Sequence, residues 1–259
     1  MSAKLYRPNE LLEELGITEP AEIDLDVIAQ HVGATVVSEP LTGAEARLVG
    51  SGDKAIITVN ANSSLPRQRF SAGHELGHWM HDRGRPQFSC GAGVQNASFL
   101  GSDPESLANR YATELLLPDY MVEPRLSKKA PILATVEELA GTFTTSLTAT
   151  ALRIVDLGMW PSMVVCFSKD KRQWFKRGRD VPDKIWPHRA LSEDSLAFAL
   201  LRDPNGTSAT EEVDADAWID LPDASDYTVV ESSVKVTPEL VVSILWWKDQ
   251  AQLHALDDE

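Results

Sequence analysis

The pentapeptide His74-Glu75-Leu76-Gly77-His78 is the feature that most constrains how this chain can fold. Two histidines four residues apart can serve one ion only on an α-helix, because residues i and i+4 project from the same helix face. The flanking sequence favours such a helix, since Ser64 is a suitable N-cap and Pro66 is typical of a first turn. The motif therefore predicts a metal site in the middle of a helix.

The residue types in this motif are typical of hydrolytic zinc sites. A catalytic zinc ion takes three protein ligands, with neutral imidazole at about 2.0–2.1 Å, and leaves a fourth position for water. The ion lowers the pKa of that water to roughly 7. Glu75 is then placed to accept the proton and pass it to a leaving amine. We expect His74 and His78 as ligands and Glu75 as the catalytic base, with a pair of buried structural histidines as the simpler alternative.

The third ligand must come from elsewhere in the chain. His81 lies about 10.5 Å along the helix axis from His74, which is too far for both to reach one ion. A metzincin would need glycine at position 81 and histidine at position 84, whereas this chain has His81 and Gly84. The sequence therefore excludes the metzincin arrangement.

A second predicted helix begins at Pro104 and ends before Pro118, and it carries two candidate carboxylates. Glu105 and Glu114 lie about 180° apart around this helix, so they cannot serve one site. Glu105 is favoured because small residues share its face and would allow close approach to the histidine helix. The expected ligand set is therefore His74, His78 and Glu105. Zinc is the preferred metal, and manganese or iron are alternatives.

Several further segments resemble the ImmA/IrrE-type metallopeptidases of bacteria and their mobile elements. The similar segments are Ile57-Thr-Val-Asn60, Arg69-Phe70 before the histidine motif, Glu105-x-x-Ala108-Asn109-x-x-Ala112, Leu115-Leu-Leu-Pro118 and the amino-terminal Ile23–Gly33. The resemblance covers roughly residues 20–160. The chain departs from the family at Gly73, where alanine is more usual, and at Tyr111, where phenylalanine is.

This resemblance implies both a site and a function. In that family two histidines and a downstream glutamate hold the metal, which carries over to His74, His78 and Glu105, and Glu75 corresponds to the general base. The implied activity is that of a zinc-dependent metalloendopeptidase. It would cleave a helix-turn-helix transcriptional repressor and derepress stress, phage or mobile-element genes. The alternative is a non-proteolytic module that sequesters a repressor and keeps the metal site as a scaffold; the intact Glu75 favours the peptidase.

Composition limits the partners and the location. The net charge of −15 argues against direct DNA binding, which depends on Lys and Arg at the phosphates. It is compatible with a basic protein partner. We find no apolar run long enough for a membrane span and no signal-peptide core, so no membrane partner is expected. Cys90 and Cys166 lie far apart in sequence, which favours reduced thiols and a cytoplasmic location. The oligomeric state stays open.

The predicted fold class is α+β, with three parts. These are a zincin-like metallopeptidase domain over residues 1–125, a helix-turn-helix-like segment over 126–160, and a small α/β domain over 161–259. Longer family members carry a sensor domain resembling the GAF fold at the last position. No residue-level motif supports that comparison in this chain.

Hydrophobic patterning predicts the local elements of the first part. Helices are expected over 7–15 and 24–32, and strands over Ala34–Val37, Ala46–Val49 and Ala55–Val59. We expect Ala55–Val59 to be a largely buried strand at a sheet edge, where a substrate peptide could add as a further strand. The glycine-containing loop from Gly84 to Asp103 is expected to form a mobile rim over the cleft.

In the second half of the chain, the sequence of residues 135–157 predicts two helices with a turn at Gly141. Arg153 is the single basic residue of the second helix, so packing is favoured over DNA reading. Four strands are predicted, Met163–Phe167, Gln173–Phe175, Val229–Val236 and Leu240–Trp247. Residues 169–179 carry six basic residues against one acid, and 191–231 carry eleven acids against one arginine. The simplest account is that the two segments face each other or different partners, and solvated charge is the favoured alternative.

Overall fold

A computed structural model describes residues 6–82, 88–90, 103–169 and 171–253 of the chain. It confirms a mixed α+β fold. The chain forms two compact units, Met1–Pro124 with Leu139–Ser146 and Arg125–Glu138 with Leu147–Glu259. The boundaries at 125 and 160 that we expect from the sequence remain a prediction. None of the helices in the described residues has the length and apolarity that crossing a membrane requires.

The first unit is built from helices packed beside a four-stranded sheet. In chain order its elements are α1 (Pro8–Glu14), α2 (Leu25–His31), β1 (Ala34–Glu39), β2 (Ala46–Ser51), β3 (Lys54–Asn60), α3 (Leu65–Asp82), β4 (Phe88–Cys90), α4 (Pro104–Leu116) and α5 (Asp119–Leu126), the last of which runs past the unit boundary. These bounds confirm both amino-terminal helices and all three strands predicted for this region.

The sheet order is β1-β3-β2-β4, with β1 parallel to β3 and the other neighbours antiparallel. The prediction that Ala55–Val59 is a sheet edge is therefore wrong, because β3 is paired along both sides. Its burial also alternates, with Ile56 54% exposed and Ile57 fully buried. One face of the strand packs on α3 and the other faces solvent, so a peptide cannot add to β3.

The strand at the β2 edge comes from the segment that the sequence predicts to be a loop. Within Gly84–Asp103, residues Phe88–Cys90 form β4 and pair with Leu48–Gly50 of β2. A three-residue strand carries too little periodicity to be recognised in sequence, and it forms because β2 offers an unpaired edge. The remainder of the predicted rim, residues 84–87 and 91–102, lies outside the described residues.

Helices α3 and α4 approach each other closely because glycines of α3 face alanines of α4. A Cβ atom placed on Gly77 would lie 2.9 Å from Cα of Ala108 and 3.0 Å from Cβ of Tyr111. One placed on Gly73 would lie 3.2 Å from Cβ of Ala112. This tight contact explains the departure at Gly73, since an alanine there would press against α4. It also sets how near the side chains of the two helices come.

The second unit contains a five-stranded antiparallel sheet in the order β6-β5-β9-β8-β7. Its elements, together with the helix that crosses from one unit to the other, are α6 (Leu133–Phe143), α7 (Leu147–Leu157), β5 (Ser162–Ser168), β6 (Lys171–Arg177), α8 (Leu196–Arg202), β7 (Ser208–Asp214), β8 (Thr228–Thr237) and β9 (Leu240–Trp246). All four strands predicted here are confirmed, and the comparison with a GAF fold stays a prediction.

The turn predicted at Gly141 is wrong, because Gly141 lies inside α6. One glycine costs a helix only about 1 kcal/mol relative to alanine, which the surrounding helix formers offset. The chain turns after Phe143 instead, where Thr144 has a φ of 53°. In the following helix Arg153 is buried and lies 4.0 Å from the Asp156 carboxylate. Arg153 is therefore largely shielded from solvent in α7.

Much of the basic segment 169–179 is bonded within the second unit. The Arg177 guanidinium donates to the carbonyl oxygens of Pro182 and Ile185, each at 3.0 Å. Lys176 Nζ lies 2.7 Å from Asp156 Oδ1, and Arg172 donates to the carbonyl of Pro187. Arg172 and Arg177 thereby tie the segment after β6 to the sheet and Lys176 pairs with α7, so these cations are more than solvated charge.

One of the acids in 191–231 is also structural. Glu231 is fully buried, and its carboxylate accepts hydrogen bonds from the backbone N–H groups of Leu196 and Ala197 at 2.9 and 2.7 Å. Trp218 Nε1 and the Ser233 hydroxyl donate to it at 2.7 Å each. Burial raises the pKa of Glu231. The carboxylate satisfies the start of α8, whose first N–H groups have no partner inside the helix.

Replacing Gly77 with alanine is expected to destabilise the protein by about 1–3 kcal/mol, because the new methyl group meets the α4 backbone. Gly141→Ala is the matched control, since nothing lies within 4 Å of a Cβ atom there. The control is expected to be neutral or to stabilise by about 0.5–1 kcal/mol through helix propensity. Urea unfolding measures both, and equal effects would contradict the close α3–α4 contact.

Candidate metal centre

Three metal-ligating side chains converge where α3 meets α4. His74 Nε2 lies 3.3 Å from Glu105 Oε2, and His78 Nε2 lies 3.3 Å from Glu105 Oε1. The two imidazole Nε2 atoms are 3.1 Å apart. The convergence follows from the helices, because residues i and i+4 of α3 share a face and Glu105 occupies the first turn of α4. Among the described residues these three form the group that can hold a metal ion.

The separations of the donors fit a small tetrahedral ion. Ligands at about 2.0–2.1 Å from zinc stand about 3.3–3.4 Å from one another in a tetrahedron. The three observed separations of 3.1, 3.3 and 3.3 Å lie close to that value. Two neutral nitrogen donors and one carboxylate also match the donor types that zinc accepts. The residues present therefore fit a metal of this class without rearrangement.

Asn109 orients the first histidine. Its Oδ1 lies 2.9 Å from His74 Nδ1. A carbonyl oxygen only accepts, so Nδ1 carries the proton and Nε2 keeps its lone pair toward the other donors. Sequence reasoning identified Asn109 as part of a resemblance but assigned it no role. The signal was its spacing of four residues from Glu105, which places both side chains on one face of α4.

The site is buried on its histidine side and open on its carboxylate side. His74 and His78 are buried, whereas the Glu105 side chain is 49% exposed. Burial and the neighbouring His78 lower the pKa of His74. A lowered pKa favours the neutral imidazole that a metal requires. A ligand can therefore approach the donors from the Glu105 side.

Glu75 follows His74 on α3 and is buried. Its side chain is 1% exposed. Burial, and to a smaller extent the charge of Glu105, raise the pKa of Glu75 to about 8. Within the described part of the chain its Oε2 has no hydrogen-bond partner. Such a carboxylate exchanges a proton near neutral pH, which suits a general base.

The two residues that sequence reasoning set aside lie outside this group. His81 is exposed near the carboxyl end of α3, and Glu114 is half-buried on another face of α4. The group within reach of one ion holds Glu105 and neither of them. The catalytic and ligand roles of the four chosen residues remain proposals.

The residues of this site lie within a segment that matches a known protein family. Residues 29–155 match the family model of the IrrE N-terminal-like domain, in the M78 group of peptidases. A solved structure described as a Mycobacterium tuberculosis transcriptional regulator superposes with a TM-score of 0.60 at 12% identity. That superposition covers 95% of this chain and 76% of the other, and at this identity it shows a shared fold. A search of curated proteins finds no match.

Asn109→Ala is expected to weaken metal affinity by roughly tenfold to a hundredfold, because His74 loses the partner that fixes its tautomer and ring orientation. Asn109→Asp keeps an acceptor and should retain most of the affinity. Arg110→Ala, at an exposed position next to it on α4, is the control. Competition with a chromogenic chelator measures the affinities, and an Asn109→Ala value equal to the control would contradict the orienting role.

Glu75 should make the stability of the metal-free protein depend on pH. Its pKa is raised from 4.5 to about 8, so the folded state holds the proton more tightly and stability falls as pH rises through that window. Glu75→Gln removes the ionisation. Its stability relative to wild type should therefore increase by on the order of 2–4 kcal/mol from about pH 5 to about pH 8. Urea midpoints of chelator-treated protein measure this, and a difference independent of pH would refute it.

Proposed function

Because residues 29–155 belong to the ImmA/IrrE metallopeptidase family, we propose that this chain is a zinc-dependent endopeptidase that cleaves a helix-turn-helix transcriptional repressor. The observation that carries the proposal is the convergence of His74, His78 and Glu105 beside the buried Glu75. Zinc is proposed over manganese because the donor separations suit a tetrahedron and two of the three donors are imidazoles.

The side chains of the site have different roles in the proposed peptide hydrolysis. His74, His78 and Glu105 hold the ion, and Asn109 keeps His74 in the ligating tautomer. When bound, the metal supplies Lewis acidity and lowers the pKa of water. Glu75 takes a proton from the attacking water and delivers it to the leaving amine nitrogen.

The substrate class rests on the family and on charge. The resemblance implies repressor cleavage, and the net charge of −15 would favour encounter with the basic DNA-reading face of such a protein. The similar fold of a protein described as a transcriptional regulator agrees with a regulatory role. Direct DNA binding is not proposed, since Arg153 of α7 is buried. We place the activity in the cytoplasm, where such a repressor acts.

We propose a role for each of the three parts of the chain that the sequence predicts. Residues 1–125 would form the peptidase domain, 126–160 a helix-turn-helix-like segment used for packing, and 161–259 a sensor-like domain. Stress, phage or mobile-element genes would then respond to a signal received by the last part. The antiparallel sheet and the dense apolar core of the second unit provide a frame for such a domain.

The test compares Glu75→Gln with Glu114→Gln on a purified repressor encoded beside this chain. Glu75→Gln should retain the metal and reduce cleavage by at least about a hundredfold, because the proton acceptor is lost. Glu114→Gln should cleave like wild type. Product fragments are followed by mass spectrometry, with metal content measured on the same samples.

The outcome also separates the peptidase from a sequestering module. If Glu75→Gln relieves repression in cells while the repressor stays uncut, the chain acts by binding and the proposed hydrolysis is wrong. If His74→Ala loses the metal and still relieves repression, the metal is not needed even as a scaffold.

A further inference from the structure

The Ser71 hydroxyl and Glu75 Oε2 are two of the buried polar atoms on α3 that have no hydrogen-bond partner within the described part of the chain. Ser71 is fully buried and Glu75 nearly so. The two residues are four positions apart, and Ser71 also precedes His74 by three and His78 by seven. These spacings place all four side chains on one face of the helix. Ser71 therefore faces the metal centre from one turn before it.

A hydroxyl at this position needs an explanation. A serine inside a helix usually returns its hydroxyl to the carbonyl four residues earlier, and Ser71 makes no such bond. An unpaired buried hydroxyl costs free energy that alanine would avoid. The neighbouring Ala72 and Gly73 offer no side-chain partner. Within the described residues neither the Ser71 hydroxyl nor Glu75 Oε2 has a protein partner, so a bound water molecule is the simplest partner for both.

We propose that Ser71 is a positioning residue that holds the Glu75 carboxylate through one shared water molecule. Cβ atoms at i and i+4 stand about 5–6 Å apart, and two successive O–H···O bonds of about 2.8 Å span a similar distance. A single water between Ser71 Oγ and Glu75 Oε2 satisfies both atoms. The carboxylate is then fixed in one orientation toward the donors. The inference rests on the proposed function only in taking Glu75 as the base.

The first test measures the coupling of the two side chains without any activity. Ser71→Ala, Glu75→Ala and the double variant are unfolded in urea as metal-free protein. With the shared water, Ser71→Ala lowers the midpoint in the wild-type background, and this effect disappears when Glu75 is alanine. If Ser71→Ala raises the midpoint equally in both backgrounds, the hydroxyl is simply unpaired and the proposal is wrong.

The second test uses repressor cleavage. Ser71→Ala should lower kcat on the order of tenfold, with KM within about twofold and metal content unchanged, because a mobile base is less often aligned. Ser71→Thr keeps the hydroxyl and should recover most of kcat. Ser71→Cys keeps the volume with a weaker donor and should behave like alanine. Full activity of Ser71→Cys would assign the position to packing and overturn the proposal.

The two tests fail in different ways. If wild type cleaves no repressor, the proposed function is wrong, and the urea midpoints still report whether Ser71 and Glu75 are coupled. If cleavage is normal and the midpoints are additive, the peptidase stands and the role of Ser71 is refuted.

Discussion

The close contact of α3 with α4 is the constraint on which the candidate metal centre depends. Gly73 and Gly77 have no side chain at the contact with α4. Ala108 and Ala112, which face them there, have only a methyl side chain. This pairing brings Glu105 within 3.3 Å of both histidines while α3 still buries its other side against the sheet. Larger side chains at the contact would separate the helices and move Glu105 away from the two histidines.

The same geometry places several ionisable groups close together in a buried site, which is energetically unfavourable. Two imidazoles and two carboxyl groups lie together, the Glu75 carboxyl is buried without a full set of hydrogen bonds, and its pKa rises to about 8. Such a cluster lowers stability in the absence of a metal, and the surrounding core, including Leu76 and Trp79, offsets the cost. A metal bound there would relieve repulsion that the folded chain has already assembled, which would couple its affinity to folding.

The second unit uses charge differently. A basic run on β6 and the segment after it bonds largely to carbonyl oxygens and to Asp156, and the buried Glu231 satisfies the start of α8. Some of the charged residues whose clustering in the sequence suggests a binding partner are thus bonded to other residues of the same unit. The net charge of the whole chain is unaffected by this pairing and still governs its long-range field.

Local periodicity was enough to place the histidine helix, to choose Glu105 over Glu114, and to locate seven strands, because each depends on residues within a few turns of one another. Asn109 as the partner of His74, β3 in the interior of the sheet and β4 at its edge depend on segments far apart in sequence. Gly141 is a further example, because a glycine favours a turn when only its local sequence is considered, yet α6 continues through it. The amino-acid order therefore defines the chemistry of the donors, whereas packing between distant elements sets the distances at which they meet.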